Sequence, residues 1–259
     1  MLFGYDEKIK TFQRIIREDK LGQAYLFYGD RGVGKNTFAV LLAYALETGK
    51  FAVGSEPLLD ALFVARNPEE NVLGIERITS EVKRFLWQKP FKSSRRLVVV
   101  DDSEDLTPEA QSALLKIVEE PPPHALLIFI AHDSQVFLPP LLSRLAKIYF
   151  PRLSKEEIAK ILSEKYKASE EKAHEVSRQA FGRLGLALKL LDGTDGEGEE
   201  TLESFLENKI LELRREGLKK NAPVLVRLLD RETFVKRYNL NMNLQRRAVV
   251  EIIRGKNQA

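Results

Sequence analysis

The chain has 259 residues, of which 41 are Lys or Arg and 38 are Asp or Glu, so its formal net charge is +3. It contains no cysteine, which excludes disulfides, thiolate zinc sites, iron–sulfur clusters and a cysteine nucleophile. No uninterrupted apolar run approaches the roughly 18 residues that cross a bilayer. Because the N-terminal sequence also lacks the pattern of a signal peptide, we expect a cytoplasmic protein.

Helix-like and strand-like segments alternate along the first 150 residues. Apolar, β-branched or aromatic runs predict strands at 24–28, 62–65, 97–100, 126–131 and 148–150. Apolar residues at helical spacing predict helices over 9–16, 38–46, 75–86 and 110–118. Asp6 and Thr107 are the predicted N-caps of the first and last of these helices. The alternation predicts an α/β fold in which helices cover both faces of a parallel sheet.

Strand-like runs stop after residue 150, and the rest of the chain has helical periodicity. Ser154 and Glu157 form a predicted capping box, and two further helices are predicted near 169–180 and 183–191. An acidic, glycine-rich segment at 193–198 has the composition of a flexible linker. We therefore predict an α/β domain at 1–150, a three-helix domain at 151–195 and an all-helical domain at 196–259.

A glycine-rich segment between the first predicted strand and the next helix is the strongest motif. Residues 29–36 match the phosphate-binding loop G-x-x-x-x-G-K-[ST] at every position but the last. In such a loop the backbone N–H groups surround phosphate oxygens, and the lysine neutralises their charge. The candidate nucleotide-binding residues are Gly29, Arg31, Gly32, Val33, Gly34, Lys35, Asn36 and Thr37. The alternative is an ordinary glycine turn that joins a strand to a helix.

Asn36 stands where the pattern has a serine or threonine, whose hydroxyl binds Mg²⁺ directly. An asparagine offers a bulkier carboxamide oxygen in place of that small hydroxyl. Thr37 does not simply replace it, because the next helical position points about 100° away. The sequence therefore predicts descent from a phosphate-binding loop and leaves ATP and Mg²⁺ as candidate ligands whose binding is open.

Two acidic residues follow the apolar run at 97–100. Asp101 stands at the end of a predicted buried strand, where a carboxylate beside a phosphate-binding loop holds the Mg²⁺ shell. Asp102 is either a polarising carboxylate for water or the cap of a turn. Both residues are included among the candidate nucleotide-binding residues.

Three segments in this order resemble the clamp-loader branch of the AAA+ ATPases: 23–35, 106–122 and 138–144. Residues 239–244 resemble the last collar helix of one family in that branch, the bacterial DNA polymerase III delta-prime subunits. The resemblance implies a AAA+ P-loop domain, a three-helix lid and a helical collar. It further implies a complex with clamp-loader motor (gamma/tau) and delta subunits, which uses ATP to place a sliding clamp on primed DNA.

The segment Leu142-Ser143-Arg144 resembles the Ser-Arg-Cys motif of the branch, with Leu145 in place of the cysteine. The resemblance implies that Arg144 acts in trans, as an arginine finger at the ATP of a neighbouring subunit. A planar, permanently charged guanidinium suits that role, because charge develops on the γ-phosphate during transfer. The alternative is a surface arginine in an ion pair.

Other positions depart from the hydrolysing members of the branch. Asp102 replaces the glutamate that polarises water, and its shorter side chain leaves the carboxylate about 1.5 Å short. Gly185 stands where those members have a lid arginine, and Arg183 is two residues away. His132 occupies the sensor position, commonly Thr or Asn; the alternative is a strand-end histidine with a structural role. With no cysteine, the zinc module of many members is absent.

These features predict a delta-prime-like subunit that hydrolyses ATP very poorly by itself. One alternative is an ATP-hydrolysing clamp-loader motor subunit in which the substitutions work, and another is an AAA+ scaffold or adaptor outside replication. Lys92, Arg95 and Arg96 are candidate contacts for DNA, or else a solvated basic cluster.

Overall fold

The computed structural model describes residues 3–54, 56–66, 72–192, 209–210, 213–214, 217 and 221–229. The contacts divide the chain into two units, Met1–Leu191 and Asp192–Ala259. The predicted linker at 193–198 and the motif at 239–244 lie outside the described residues, as does most of 196–259. Within the part described, no helix is long and apolar enough to span a membrane.

The first unit contains a five-stranded parallel sheet, as the sequence predicts. Its strands are β1 (Ala24–Tyr28), β2 (Ala61–Val64), β3 (Arg96–Val100), β4 (Ala125–Ala131) and β5 (Ala146–Tyr149). They lie in the order β2-β3-β4-β1-β5, and every neighbouring pair is parallel. All residues of β3 and β4 are buried, which explains why both strands are almost continuously apolar. The α/β class is therefore confirmed.

Helices cover both faces of this sheet. They are α1 (Asp6–Arg17), α2 (Lys35–Thr48), α3 (Ile75–Arg77), α4 (Arg84–Leu86), α5 (Pro108–Glu119) and α6 (Pro139–Leu142), and a π-helical stretch (Ile78–Lys83) joins α3 to α4. One face packs Val98, Val100 and Phe129 against the helix α5 residue Leu114. The opposite face is rich in aromatic rings, and Phe27 there contacts Phe12 of α1 and Phe38 of α2.

Helix ends agree with the sequence at two of three predicted caps. The Thr107 side chain accepts from the Ala110 N–H at 3.2 Å, and the capping box of Ser154 and Glu157 is present. The prediction for Asp6 is wrong, because Tyr5 takes the N-cap position and Asp6 is the first helical residue. Tyr5 is fixed there by burial and by its hydroxyl, which lies within hydrogen-bond distance of two backbone carbonyls, Val33 at 2.9 Å and Pro151 at 2.8 Å.

Three helices follow the sheet: α7 (Lys155–Tyr166), α8 (Glu170–Ala180) and α9 (Leu184–Asp192). They have an apolar cluster of their own, which includes Ile158, Leu162 and Val176. The Leu153 N–H donates to the Gly182 carbonyl at 2.9 Å and so joins the entry of this segment to the loop before α9.

The candidate DNA contact at Arg96 is wrong, because this side chain is buried inside the fold. Its guanidinium donates to Asp60 at 2.6 Å and to Gln88 at 2.7 Å, and it lies 4.1 Å from the ring centre of Phe85. Arg95 is also largely buried and donates to two backbone carbonyls. These two arginines stabilise the fold and are not available as a surface cluster.

Candidate nucleotide-binding site

A cleft of about 380 Å³ opens at the carboxyl ends of β1, β3 and β4. It is lined by Phe3, Arg31, Gly32, Val33, Gly34, Lys35, Asn36, Thr37, Asp101, Asp102, Glu104, Ile130, Ala131, His132, Leu184, Gly185 and Leu188. The structure thus brings nearly all of the predicted nucleotide-binding residues together with the sensor position. Gly29 does not line the cleft, although its carbonyl accepts from Lys35, and Arg144 also lies outside the cleft.

The loop 29–34 has the backbone that a phosphate-binding loop requires. Gly29, Gly32 and Gly34 have φ values of +136°, +78° and +104°, which residues with a side chain rarely adopt. A Cβ at Gly29 would lie 2.3 Å from the carbonyl oxygen of Phe150, so no other residue fits there. Helix α2 begins at Lys35, and its free N–H groups face the space beside the loop. The backbone of this loop and the first N–H groups of α2 are therefore suited to binding a phosphate group.

Lys35 is held inside this loop. Its Nζ donates to the carbonyls of Gly29 at 2.6 Å and Asp30 at 2.8 Å. Burial lowers the pKa of the ammonium group, and the nearby carboxylates Glu104 and Asp101 act in the opposite direction. An arriving phosphate therefore has to draw the ammonium away from two carbonyl oxygens.

Asn36 changes the position at which a Mg²⁺ ion would bind. The Asn36 Nδ2 donates to Asp101 Oδ2, and the Asp102 backbone N–H donates to Asp101 Oδ1 at 2.9 Å. Both oxygens of the carboxylate are thus occupied by N–H donors. Across the described ranges, no group of three or more His, Asp or Glu side chains is placed to hold a metal. The residues present fit phosphate well and Mg²⁺ poorly.

Asp102 has a strained backbone and a carboxyl group whose pKa is raised. Its φ is +44°, a left-handed conformation that is costly for a residue with a Cβ. Burial, together with the charges of Asp101 and Glu104, raises the pKa of its carboxyl to about 6. Asp102 precedes the short 3₁₀ turn Ser103–Asp105, but its side chain makes no capping hydrogen bond to that turn.

Glu104 is a cleft residue that the sequence reasoning missed. Its Oε1 lies 2.8 Å from His132 Nδ1 and 3.2 Å from Arg31 Nη2. Burial by itself raises the pKa of this carboxyl. The His132 hydrogen bond and charge, with that of Arg31, outweigh burial and hold the pKa at about 2. The sequence contains one signal for it, since Glu104 is the third acidic residue in the segment 101–105. The direction of its side chain depends on the left-handed backbone at Asp102.

The helices α7–α9 meet the phosphate-binding loop at a glycine pair. The Gly185 N–H donates to the Gly32 carbonyl at 2.8 Å. A Cβ at Gly185 would lie 3.0 Å from that carbonyl oxygen and 3.2 Å from the Gly32 Cα. A side chain at 185 therefore requires the two backbones to separate, so an arginine does not fit this arrangement.

Arg144 lies just after α6, away from the cleft. Its Nη2 is 2.7 Å from Glu119 Oε1, and its Nη1 donates to the Pro140 carbonyl at 2.9 Å. About 42% of the Arg144 side chain and 40% of the Glu119 side chain are exposed. The following residue, Leu145, is buried and packs in the core, so the arginine is anchored beside a fixed backbone. Within this chain, Arg144 is therefore a surface arginine in an ion pair, as the alternative prediction has it.

The P-loop after β1, the acidic end of β3, the parallel sheet and the helices α7–α9 together define an AAA+ subunit of the clamp-loader type. Residues 4–154 match the sequence family described as DNA polymerase III, delta subunit. This match covers more than half of the chain, and the chain belongs to that family.

Several curated relatives are subunits of DNA polymerase III. The chain is 31% identical over 194 residues to the tau subunit of DNA polymerase III from Salmonella typhimurium, covering 70% of this chain and 30% of the relative. It is 26% identical over 227 residues to the gamma/tau subunit from Mycoplasma pneumoniae, covering 81% of this chain and 32% of the relative. The chain thus spans about a third of the length of the curated relatives it matches.

Solved structures share the fold. A DNA polymerase III gamma subunit-related protein from Thermotoga maritima matches with a TM-score of 0.58 at 21% identity, covering 96% of this chain and 99% of that one. The RuvB Holliday junction branch migration motor of Thermotoga maritima matches with a TM-score of 0.53 at 15% identity. The latter match covers 72% of this chain and 60% of the motor. At these identities the likeness establishes the AAA+ fold.

Proposed function

We propose that this chain is a delta-prime-like subunit of a bacterial DNA polymerase III clamp loader in the cytoplasm. Within that complex it adjoins a gamma/tau motor subunit and the delta subunit, and the complex loads the sliding clamp onto primed DNA. Its contribution is Arg144, supplied in trans to the ATP of the neighbouring motor. The family membership and the gamma/tau relatives support the setting.

The position of Arg144 is the observation that carries this proposal. The guanidinium lies outside the cleft of its own chain, half exposed and next to a buried leucine that fixes the backbone. Arg144 is not among the residues that line the cleft around the P-loop of its own chain. We expect it to reach a triphosphate held by another chain, where a guanidinium stabilises the charge that develops on the γ-phosphate.

Glu119 supports the same proposal by holding the arginine loosely. Because both side chains are substantially exposed, their ion pair contributes only about 0–1 kcal/mol. A triphosphate with several negative charges attracts the guanidinium more strongly than one solvated carboxylate does. Glu119 therefore keeps Arg144 near the surface of this subunit and releases it when the neighbour binds ATP.

The Glu119→Gln variant tests this release. We expect it to raise ATP turnover of the assembled complex by no more than about fivefold, since an exposed ion pair is worth at most about 1 kcal/mol. Steady-state ATPase of the complex at subsaturating ATP is the measurement. Glu120→Gln is the matched control, because Glu120 is the next residue and is also exposed. A large loss of turnover in Glu119→Gln would contradict a releasing role.

The cleft of this chain is proposed to hydrolyse ATP very slowly. Asn36 donates to the carboxylate that would hold Mg²⁺, and Asp102 is short and strained, with the pKa of its carboxyl raised to about 6. Gly185 presses its backbone against Gly32 and leaves no room for a lid arginine. Each feature weakens a different part of phosphoryl transfer: metal binding, water polarisation and charge stabilisation.

Two further units are proposed by position along the chain. Residues 151–195 would form the lid, and residues 196–259 would form the collar through which clamp-loader subunits associate. The separate apolar cluster of α7–α9 and the Gly185–Gly32 hydrogen bond support a lid that rests on the phosphate-binding loop.

Reconstitution tests the proposed function. We expect the purified chain to associate with gamma/tau and delta subunits from the same organism, and to be required for ATP-dependent loading of the clamp. Size-exclusion chromatography and a clamp-loading assay measure these two properties. Failure to associate would favour an AAA+ adaptor outside replication.

An ATP-hydrolysing motor subunit is the second candidate, because several of the relatives are gamma/tau subunits and the loop glycines are in place. Turnover by the chain alone separates the two. A motor would show Mg²⁺-dependent hydrolysis that is lost in Lys35→Ala, whereas the proposed subunit shows almost none.

A further inference from the structure

The side-chain amide of Asn36 is oriented by the carboxylate of Asp101. A carboxylate accepts hydrogen bonds, so the amide turns its nitrogen toward Asp101, and Nδ2 donates to Oδ2. The other oxygen, Oδ1, accepts from the Asp102 backbone N–H at 2.9 Å, so the carboxylate is itself held in place. An amide NH₂ group has two hydrogens, and the contact with Asp101 uses one of them. The second is left for another acceptor in the cleft that Asn36 lines.

This arrangement opposes a Mg²⁺ ion between the phosphate-binding loop and the end of β3. Mg²⁺ requires oxygen ligands at about 2.0–2.1 Å in a nearly regular octahedron. An N–H group is a donor and cannot be a ligand, so an ion bound to Asp101 Oδ2 would have to displace the Asn36 amide. The serine or threonine of the usual pattern causes no such conflict, because a hydroxyl oxygen keeps lone pairs and its hydrogen can rotate away.

A phosphate group in the loop 29–34 would meet the first turn of α2. Asn36 is the second residue of that helix and directly follows Lys35. The first N–H groups of the helix and the Lys35 ammonium group supply donors for phosphate oxygens. The second hydrogen of Asn36 Nδ2 adds a donor at the position where the pattern has the hydroxyl that holds the ion. A donor can replace the ion at this point, because both attract a phosphate oxygen.

The other charges of the cleft limit how many phosphate groups can bind without an ion. The charged residues that line it are Arg31, Lys35, Asp101, Asp102 and Glu104, so carboxyl groups outnumber cations. A diphosphate is the smallest group that uses both the loop and Lys35. A third phosphate adds negative charge that the carboxyl groups repel when no ion neutralises it. Without Mg²⁺, the cleft therefore favours a diphosphate over a triphosphate.

We propose that this cleft binds a nucleoside diphosphate without Mg²⁺, and that Asn36 Nδ2 donates its second hydrogen to a phosphate oxygen in place of the ion. No covalent bond forms or breaks in this step. The inference rests on the nucleotide-binding role proposed for the cleft and names the form of the nucleotide that the cleft selects. It also gives a reason for slow turnover, because phosphoryl transfer requires a triphosphate whose charge a metal ion neutralises.

Calorimetry with ADP measures the effect of the ion on binding. ADP is the probe because it has no γ-phosphate to lose during the titration. The purified full chain is titrated once in excess EDTA and once in excess Mg²⁺. We expect ADP to bind at least as tightly in EDTA as in Mg²⁺. An ATP analogue with a non-hydrolysable β–γ bridge should bind more weakly than ADP in EDTA.

Two variants of Asn36 assign the effect to its amide. Asn36→Ser restores the hydroxyl of the usual pattern, so ADP should bind more tightly in Mg²⁺ than in EDTA. Asn36→Ala is the matched control, because it removes the donor and adds no ligand for an ion. It should weaken ADP binding in EDTA by about tenfold or more, the factor that a hydrogen bond to a charged group contributes. Because Asn36 is exposed, both variants should fold, which circular dichroism checks.

Several results would overturn the inference. They are tighter binding of ADP in Mg²⁺ than in EDTA by the parent chain, an analogue that binds in EDTA as tightly as ADP, and full affinity of Asn36→Ala in EDTA. Failure of the parent chain to bind either nucleotide would overturn it as well. That failure would leave the proposed role of Arg144 intact, because Arg144 is tested at the ATP of the neighbouring motor in the assembled complex.

Discussion

Replacing Arg144 by alanine is expected to lower ATP turnover at the neighbouring motor subunit by roughly a thousandfold, since a finger arginine contributes on the order of 10³–10⁵ to phosphoryl transfer. Assembly should be unaffected, because the side chain is half exposed and its ion pair with Glu119 is weak. Single-turnover hydrolysis by the complex measures this loss in the chemical step, and clamp loading should fall in parallel.

Two further variants show whether the loss of ATP turnover in Arg144→Ala comes from the guanidinium at this position. Arg178→Ala is a matched control: like Arg144, Arg178 is exposed and donates to the carbonyl four residues earlier, but it lies on α8. Arg144→Lys keeps the charge and removes the planar fork, so we expect it to recover only a small part of the activity. Full turnover in Arg144→Ala would remove the proposed role, whatever the complex does otherwise.

The sheet and the phosphate-binding loop were predictable because their signals are local. An apolar run such as 126–131 has only one environment that suits it, a strand buried on both faces. The glycines of the loop 29–34 likewise have a local reason, because each has a backbone angle that other residues avoid. In such cases a few consecutive residues are enough to predict the local structure.

The cleft could be predicted only in part because several of its contacts join distant segments. Glu104 meets His132 across 28 positions and Arg31 across 73, and a one-residue left-handed turn at Asp102 directs it there. The Asp6 prediction failed for a similar reason. Local capping preference favours an aspartate, but the burial of Tyr5 against Phe150, on a distant strand end, decides where the helix begins.

The contacts of Arg96 also join distant segments and so could not be predicted from the sequence, and they contribute more to stability. In the sequence it is one of several basic residues before an apolar strand, and its partner Asp60 is 36 positions away. In the structure Asp60 accepts from Arg96 and from three successive backbone N–H groups, those of residues 91–93, at 2.6–2.7 Å. One buried carboxylate thus orders the loop before β3 and neutralises the arginine at the start of that strand.

The Asp60→Ala variant is therefore expected to lower the free energy of unfolding by about 3–5 kcal/mol, because it leaves the Arg96 charge buried without a counterion. It also leaves three backbone N–H groups without their acceptor, which adds to the cost. Urea unfolding of the purified chain, with the midpoint and slope compared with the parent protein, is the measurement. Glu56→Ala is the control, since Glu56 pairs with Lys92 of the same loop at an exposed site and should cost far less than Asp60→Ala.

Acid should reproduce part of this loss in the parent protein. Burial alone would raise the pKa of Asp60, but the backbone N–H donors and Arg96 outweigh it and hold the pKa below its usual range. The folded pKa thus lies below the unfolded value of about 4, so the stabilisation is complete above pH 4 and disappears as the pH falls through the folded pKa. We expect Asp60→Ala to flatten the stability profile over this acidic range. An unchanged profile, or a cost no larger than that of Glu56→Ala, would contradict the assignment of Asp60 as the residue that fixes this loop.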